Sequence, residues 1–272
     1  MTESKSIKKG LLALPNDDKR KIIFVATVLC LVCSVLVSTS AILLRPLQES
    51  NAQMASMTEI LKVGGLQLPD KKDVERYFSQ HVTTKIVDLD SGEYREEFNV
   101  DTFDERKAAR DQGTSIALQT TQDIARIKRR VNYARIYLIP DQQGNIEKII
   151  LPIHGYGLWS TIYGFLALHA DGKTIAGLTF YEQAETAGLG AEVTNPKWLA
   201  QFIGKQTVDE QGIPKIRIVK GSVNPDDAEA KYLVDGISGA SLTSNGVTNL
   251  MQFWLGELGF GPYLANLRER GR

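Results

Sequence analysis

The stretch Tyr133-Ala-Arg-Ile-Tyr-Leu-Ile-Pro-Asp-Gln-Gln-Gly-Asn-Ile-Glu-Lys-Ile-Ile-Leu-Pro-Ile153 marks a change in the character of the chain. Two runs rich in β-branched and aromatic residues, Tyr133 to Ile139 and Glu147 to Ile153, flank the turn-forming Pro140-Asp141-Gln142-Gln143-Gly144-Asn145. That composition predicts an antiparallel hairpin. Downstream, Ile162 to His169, Thr174 to Tyr181 and Lys215 to Val219 have the composition of further strands, with a helix near Pro196 to Ile203 and another from about Ser244 to Leu258. The predicted fold class is α+β, a mostly antiparallel sheet with helices on one side.

Upstream of the hairpin, Thr84 to Leu89 predicts a strand, Asp90-Ser91-Gly92 a turn and Tyr94 to Phe98 a return strand, with a short helix from Asp70 to Gln80 before them. Leu47, Met54, Met57, Ile60 and Leu61 recur at near-helical intervals up to Gly64-Gly65, which suits a helical stalk stopped by glycine. The charge-rich residues 101–130 include Arg126, Lys128, Arg129 and Arg130, which could bind phosphate. Interleaved Ile124 and Ile127 favour a solvated helix or linker face instead.

Further upstream, Ile22 to Leu44 holds no charge over twenty-three residues. At about 1.5 Å per residue it reaches roughly 35 Å, enough for a ~30 Å hydrocarbon core. The run exceeds the roughly 7 to 15 apolar residues of a cleaved signal peptide, so a transmembrane helix is expected. Lys5, Lys8, Lys9, Lys19, Arg20 and Lys21 precede it and Arg45 alone closely follows, which puts residues 1–21 in the cytoplasm and everything from Arg45 outside, in the periplasm of a Gram-negative cell. Cys30 and Cys33 both lie inside the span, so the external part has no thiol for metal-thiolate or cysteine-nucleophile chemistry. The pair suits apolar packing better than a redox role. With 32 basic and 32 acidic residues, global charge draws the chain toward no nucleic acid.

The segment Asp235-Gly236-Ile237-Ser238-Gly239-Ala240-Ser241-Leu242-Thr243-Ser244 has the chemistry of an attachment site for a phosphate-bearing group. Gly236 and Gly239 allow positive φ and close approach, and Ala240 adds almost no bulk. The hydroxyls of Ser238, Ser241, Thr243 and Ser244 can bond a phosphate, and a helix starting near Thr243 or Ser244 would hold an anion on its free N–H groups. By these properties alone, a Gly/Ser turn with Thr243 or Ser244 as an ordinary N-cap is the simpler reading.

Resemblance adds the rest. Asp235 to Ser241 matches Asp-Gly-x-(Ser/Thr)-Gly-Ala-(Ser/Thr), the flavinylation motif recognised by an FMN transferase. Together with the single amino-terminal span, Leu151 to Ser160, Glu182 to Gly190 and Phe253 to Pro262, it makes nearly the whole chain resemble the C component of the sodium-translocating NADH:quinone oxidoreductases. The resemblance implies residues 131–272 as an FMN-binding domain behind the span at 22–44 and a stalk and helical/hairpin region at 45–130. It implies FMN joined by its phosphate to Ser241, where family members usually carry threonine. That leaves the efficiency of attachment open and Thr243 as a fallback acceptor. It also implies that Leu189 lies against the ring, that Glu185 and Thr186 hydrogen-bond to it, and that Gly236, Ser238, Gly239, Ala240, Leu242 and Thr243 line the cofactor. Trp159 suits stacking on the isoalloxazine or a core position equally well. Asp235 serves the transferase reaction or caps the turn. His154, with no cysteine or Gly-x-Ser-x-Gly element nearby, is expected to be structural. Lys220 is expected at the surface, although it could reach the phosphate.

The implied function is electron transfer within an inner-membrane translocase, an NADH:ubiquinone reductase that pumps sodium outward. The other members of that complex are the implied partners, and the resemblance implies that NADH is bound elsewhere, with which the lack of a Gly-x-Gly-x-x-Gly element agrees. Alternatives are the flavin-carrying G component of the related ferredoxin:NAD electron-transport complex and a non-enzymatic single-span binding module.

Overall fold

The computed structural model describes residues 15–66 and 70–270. The chain divides after Gln53 into two compact units. Helix α1, Lys19–Val63, supplies the regular structure among the described residues of the first unit, and its 45 residues are long and apolar enough to cross a membrane. From Ile22 to Leu44 its side chains meet no protein core.

In the second unit, α1 ends where glycine was expected to stop it. Gly65 takes φ +92°, and the Leu66 N–H donates to Leu61 O at 2.9 Å, closing a Schellman-type cap. Helix α2, Lys71–His81, leads into strand β1, Thr83–Asp88. After a one-turn helix α3, Glu105–Ala108, and a small ribbon of β2, Ser115–Ala117, with β3, Arg129–Val131, come the long strands. These are β4, Tyr133–Pro140, β5, Ile146–Tyr156, β6, Thr161–His169, and β7, Ile175–Glu182. They form one antiparallel sheet in the order β1-β4-β5-β6-β7. Beyond it lie α4, Pro196–Leu199, extended by a 3₁₀ turn to Phe202, and two-residue parallel strands β8, Arg217–Ile218, and β9, Leu233–Val234. Helices α5, Ser241–Leu255, and α6, Gly261–Arg270, close the domain.

Helices cover both faces of the sheet, not one. Side chains alternate along a strand, so Ile149, Leu151 and Ile153 of β5 and Leu166 and Leu168 of β6 pack with Val247, Leu250, Trp254 and Leu264 of α5 and α6. The opposite face of the same strands, Ile150, Phe165 and Ala167, packs with Ile60 and Val63 of α1, and Phe78 of α2 joins them. Gly177 in β7 is required here, because a Cβ would lie 2.5 Å from Val63 O.

Two further expectations are corrected. Tyr94 to Phe98 does not return as a strand; only Tyr94 bridges Val87. Charged Arg95, Glu96 and Glu97 offer no apolar face to bury. Tyr94 instead packs on Tyr263, with the two hydroxyls 3.0 Å apart, and Arg95 turns back to Asp88 at 2.6 Å. Nor do the basic residues before 131 form a solvated helix. Arg126 and Lys128 take φ +54° and +65°, in a turn held by Asp123, which accepts from the Ile127 and Lys128 N–H groups at 2.7 and 2.8 Å. Arg130 is buried and hydrogen-bonds Val131 O and Asp90.

Candidate functional site

Strand β9 runs directly into Asp235, whose backbone is gripped on both sides. Its carbonyl accepts from Trp198 Nε1 at 2.8 Å and its N–H donates to Gln201 Oε1 at 3.2 Å, while its carboxylate accepts from the Val223 N–H at 2.8 Å. The side chain therefore holds the neighbouring loop. Gly236 hydrogen-bonds Gly221 O, and a Cβ there would lie 2.4 Å from Val219 O. Gly239 takes φ +72° beside Leu189.

Helix α5 then begins at Ser241, earlier than expected, so neither Thr243 nor Ser244 is its N-cap. Ala240 occupies that position and supplies no side-chain cap. The hydroxyls sort into two sets. Ser238 and Ser241 are exposed, whereas Thr243 and Ser244 are 1% and 4% exposed. Ser244 Oγ accepts from the Ile237 N–H at 3.4 Å, and Thr243 Oγ1 donates to Glu185 at 2.7 Å. Burial removes Thr243 as a fallback acceptor. What remains is an uncapped helix start, with its dipole and free N–H groups, presenting one exposed hydroxyl.

Two loops meet this start. Between β5 and β6, the turn at Gly157 to Ser160 exposes Trp159 by 66% and Leu158 by 37%. After β7, the loop through Glu185 and Thr186 exposes Leu189 by 43%, and Leu242 on the first turn of α5 is 61% exposed. Trp159 is thus not core; like Leu189 on the second loop and Leu242 on the first turn of α5, it is an exposed apolar side chain. Thr186 is exposed, and its carbonyl accepts from the Leu189 and Ala191 N–H groups, which shapes the loop.

Glu185 points inward. Its carboxylate accepts from the N–H groups of Leu158, Trp159 and Ser160 at 3.0 to 3.2 Å and from the Thr243 hydroxyl. Burial alone would raise its pKa. The bonds from Trp159, Thr243, Leu158 and Ser160 outweigh burial and hold it below the usual carboxylate value.

On the other side of the motif opens a cleft of about 830 Å³, lined by Gln201, Lys220, Ser222, Ser238, Ser241 and Asn245 among others. This is within the size range of small-molecule sites. Lys220 is exposed but borders this cleft, and Gln201, Ser222 and Asn245 join it without any local sequence signal. Residues brought together only by the fold have none. His154 stacks on Tyr163 at 5.3 Å and lies 4.9 Å from Trp254, whose indole N–H donates to His154 O. Burial, then the charge of Arg106, lowers its pKa to about 4, so it is a neutral packing residue.

Residues 157–256 match the FMN-binding domain family. Curated relatives include the C components of the Na(+)-translocating NADH-quinone reductases of Vibrio vulnificus, 46% identical, and Pseudomonas aeruginosa, 47% identical. These alignments cover 94% and 93% of this chain and 98% of each relative. The chain belongs to the NqrC family, the C components of the Na(+)-translocating NADH-quinone reductases. Within that family, the crystal structure of Shewanella oneidensis NqrC superposes with TM-score 0.74 at 36% identity, covering 80% of this chain and 99% of that one. In this NqrC family member, the FMN-binding match begins at the Trp159 turn and ends just past α5, so it contains both loops, the motif and the cleft.

The residues present suit FMN. An anionic phosphate matches the uncapped start of α5, and a planar aromatic ring matches exposed apolar side chains such as Trp159, Leu189 and Leu242.

Proposed function

We propose that the chain is the electron-transfer subunit of a sodium-pumping NADH:ubiquinone oxidoreductase and carries FMN covalently through a phosphoester to Ser241. The observation that carries this reading is the sorting of hydroxyls at the start of α5: Ser241 alone combines exposure with position on an uncapped helix N-terminus inside the flavinylation motif. An FMN transferase forms the ester. Ser241 Oγ loses its proton and bonds the flavin phosphate while the donor's leaving group departs. Asp235, Gly236, Ser238, Gly239 and Ala240 shape the segment for that reaction, and Trp159, Leu189, Leu242 and Thr186 border the ring.

Bound FMN supplies the redox chemistry. The protein would hold the phosphate at the start of α5 and offer apolar side chains to the ring. Residues 22–44 of α1 span the inner membrane, residues 1–21 stay cytoplasmic, 45–130 form the stalk and helical/hairpin region, and the FMN-binding domain at 131–272 works in the periplasm against the rest of the complex. NADH and ubiquinone bind elsewhere in that complex.

The test is flavin fluorescence on a denaturing gel after co-expression with the transferase. The wild-type band fluoresces, and Ser241→Ala abolishes the signal. A dark wild-type band, or a fluorescent Ser241→Ala band, refutes attachment at Ser241.

A further inference from the structure

We propose that Glu185 is a positioning residue that locks the ring-bearing turn to the attachment helix, and not a ligand of the flavin; this rests on the reading of Ser241 and Trp159 above. Three segments far apart in sequence share this one carboxylate. Oε1 accepts from the Leu158, Trp159 and Ser160 N–H groups at 3.1, 3.0 and 3.2 Å, and Oε2 accepts from Leu158 N–H at 3.2 Å and Thr243 Oγ1 at 2.7 Å. These donors, with the Leu158 N–H shared between both oxygens, fill the acceptor sites of a carboxylate, and Glu185 is only 8% exposed. None is left for a ring N–H.

The packing around it has no slack. A Cβ at Gly157 would lie 2.7 Å from Glu185 Oε1, and one at Gly190 would lie 2.6 Å from Thr243 Oγ1 and 2.9 Å from Glu185 Oε2. Both glycines therefore let the turn and the loop close on the carboxylate. The consequence is geometric. Trp159 is exposed, and Glu185 with Thr243 ties its backbone to the first turn of α5 by hydrogen bonds, beside the Tyr156 hydroxyl that donates to Trp159 O and the close packing of Gly246 on Gly157. The phosphate end and the ring end of the cofactor are held in register by one buried charge.

Glu185→Gln keeps size and one acceptor but turns an amide NH₂ toward N–H donors. Thr243→Val removes only the hydroxyl bond. In the full chain co-expressed with the transferase, both variants are expected to retain gel fluorescence, because Ser241 is untouched. The visible circular dichroism of the bound flavin should fall at least about twofold in Glu185→Gln and by less in Thr243→Val. The double variant should be no worse than Glu185→Gln alone, as expected for residues acting through one contact. The flavin midpoint potential should shift in the same order. Wild-type dichroism and potential in Glu185→Gln would overturn the proposal. Should that variant fail to fold, an unchanged flavin signature in Thr243→Val overturns it equally. Failure of the Ser241 reading appears separately, as a wild-type band without flavin.

Discussion

Ser241 and Glu185 differ in how far sequence could take them. The first sits in a contiguous pattern of glycine, alanine and hydroxyl residues, so its chemistry and its family resemblance occupy seven adjacent positions. The second works through partners 25 to 27 residues upstream and 58 downstream, and no local pattern encodes such a meeting. The resemblance offered Glu185 as a hydrogen-bonder to the ring, whereas the fold gives its carboxylate backbone N–H and Thr243 partners that no local pattern announces. His154 is a third case, legible as structural but not in its consequence. Held neutral with a pKa of about 4, it binds no proton until well below the point where an unfolded histidine, near 6.5, has taken one up. The unfolded state thus binds more protons between those values, so stability is complete above about pH 6.5 and is lost as pH falls toward 4. At about 1.4 kcal/mol per unit over about 2.5 units, the loss is at most about 3.5 kcal/mol. Protonation of Glu185, whose pKa lies below the ordinary value, adds to it only in more acid solution. Denaturant unfolding across this range should show the decline, and His154→Phe should flatten the part above about pH 4.5. An equal slope in that variant would remove His154 as the cause.

Among the elements, α5 joins the site to the core. Its first turn presents Ser241, and its buried face carries Val247, Leu250 and Trp254 into the sheet. Gly246 lies between these roles. Its Cα passes so close to the β5 end that an added Cβ would lie 2.7 Å from Tyr156 O and 2.9 Å from Gly157 Cα. In an open helix, Gly→Ala stabilises by about 0.5–1 kcal/mol. Here the contacts are backbone, which cannot rotate away, so Gly246→Ala should reverse the sign and destabilise by about 1–3 kcal/mol. A lower midpoint of unfolding with loss of flavin dichroism is the expected result; a rise would mean that the β5 turn yields freely. The long strands were legible to within a residue or two, except that β5 runs three residues past Ile153 to Tyr156, because β-branched runs bounded by turn residues leave few alternatives. Their two-sided burial was also written in the sequence. Ile149-Ile150-Leu151 and Phe165-Leu166-Ala167-Leu168 are continuous apolar runs instead of alternating ones, which is the mark of a strand covered on both faces. The residues 94–130 resisted because their order depends on long-range partners such as Asp90 for Arg130 and Tyr263 for Tyr94.

For the molecule as a whole, the proposed function requires the flavin-bearing unit and the amino terminus to lie on opposite sides of a membrane. Six Lys and Arg residues before the span against one closely after it favour that orientation. The chain is well suited to a direct test, because Cys30 and Cys33 are its only cysteines and both lie within the span. Replacing both with serine yields a cysteine-free background. In that background Gln142→Cys places a thiol at the exposed β4–β5 turn, and Ser4→Cys places one before the span in sequence. A membrane-impermeant maleimide applied to spheroplasts should label Gln142→Cys at once, and Ser4→Cys only after the membrane is permeabilised. The reverse pattern would put the flavin domain in the cytoplasm, where an exported, covalently retained cofactor has no rationale. Labelling of both before permeabilisation would mean that residues 22–44 do not span, and the reading of this chain as a single-pass anchor would fail with it.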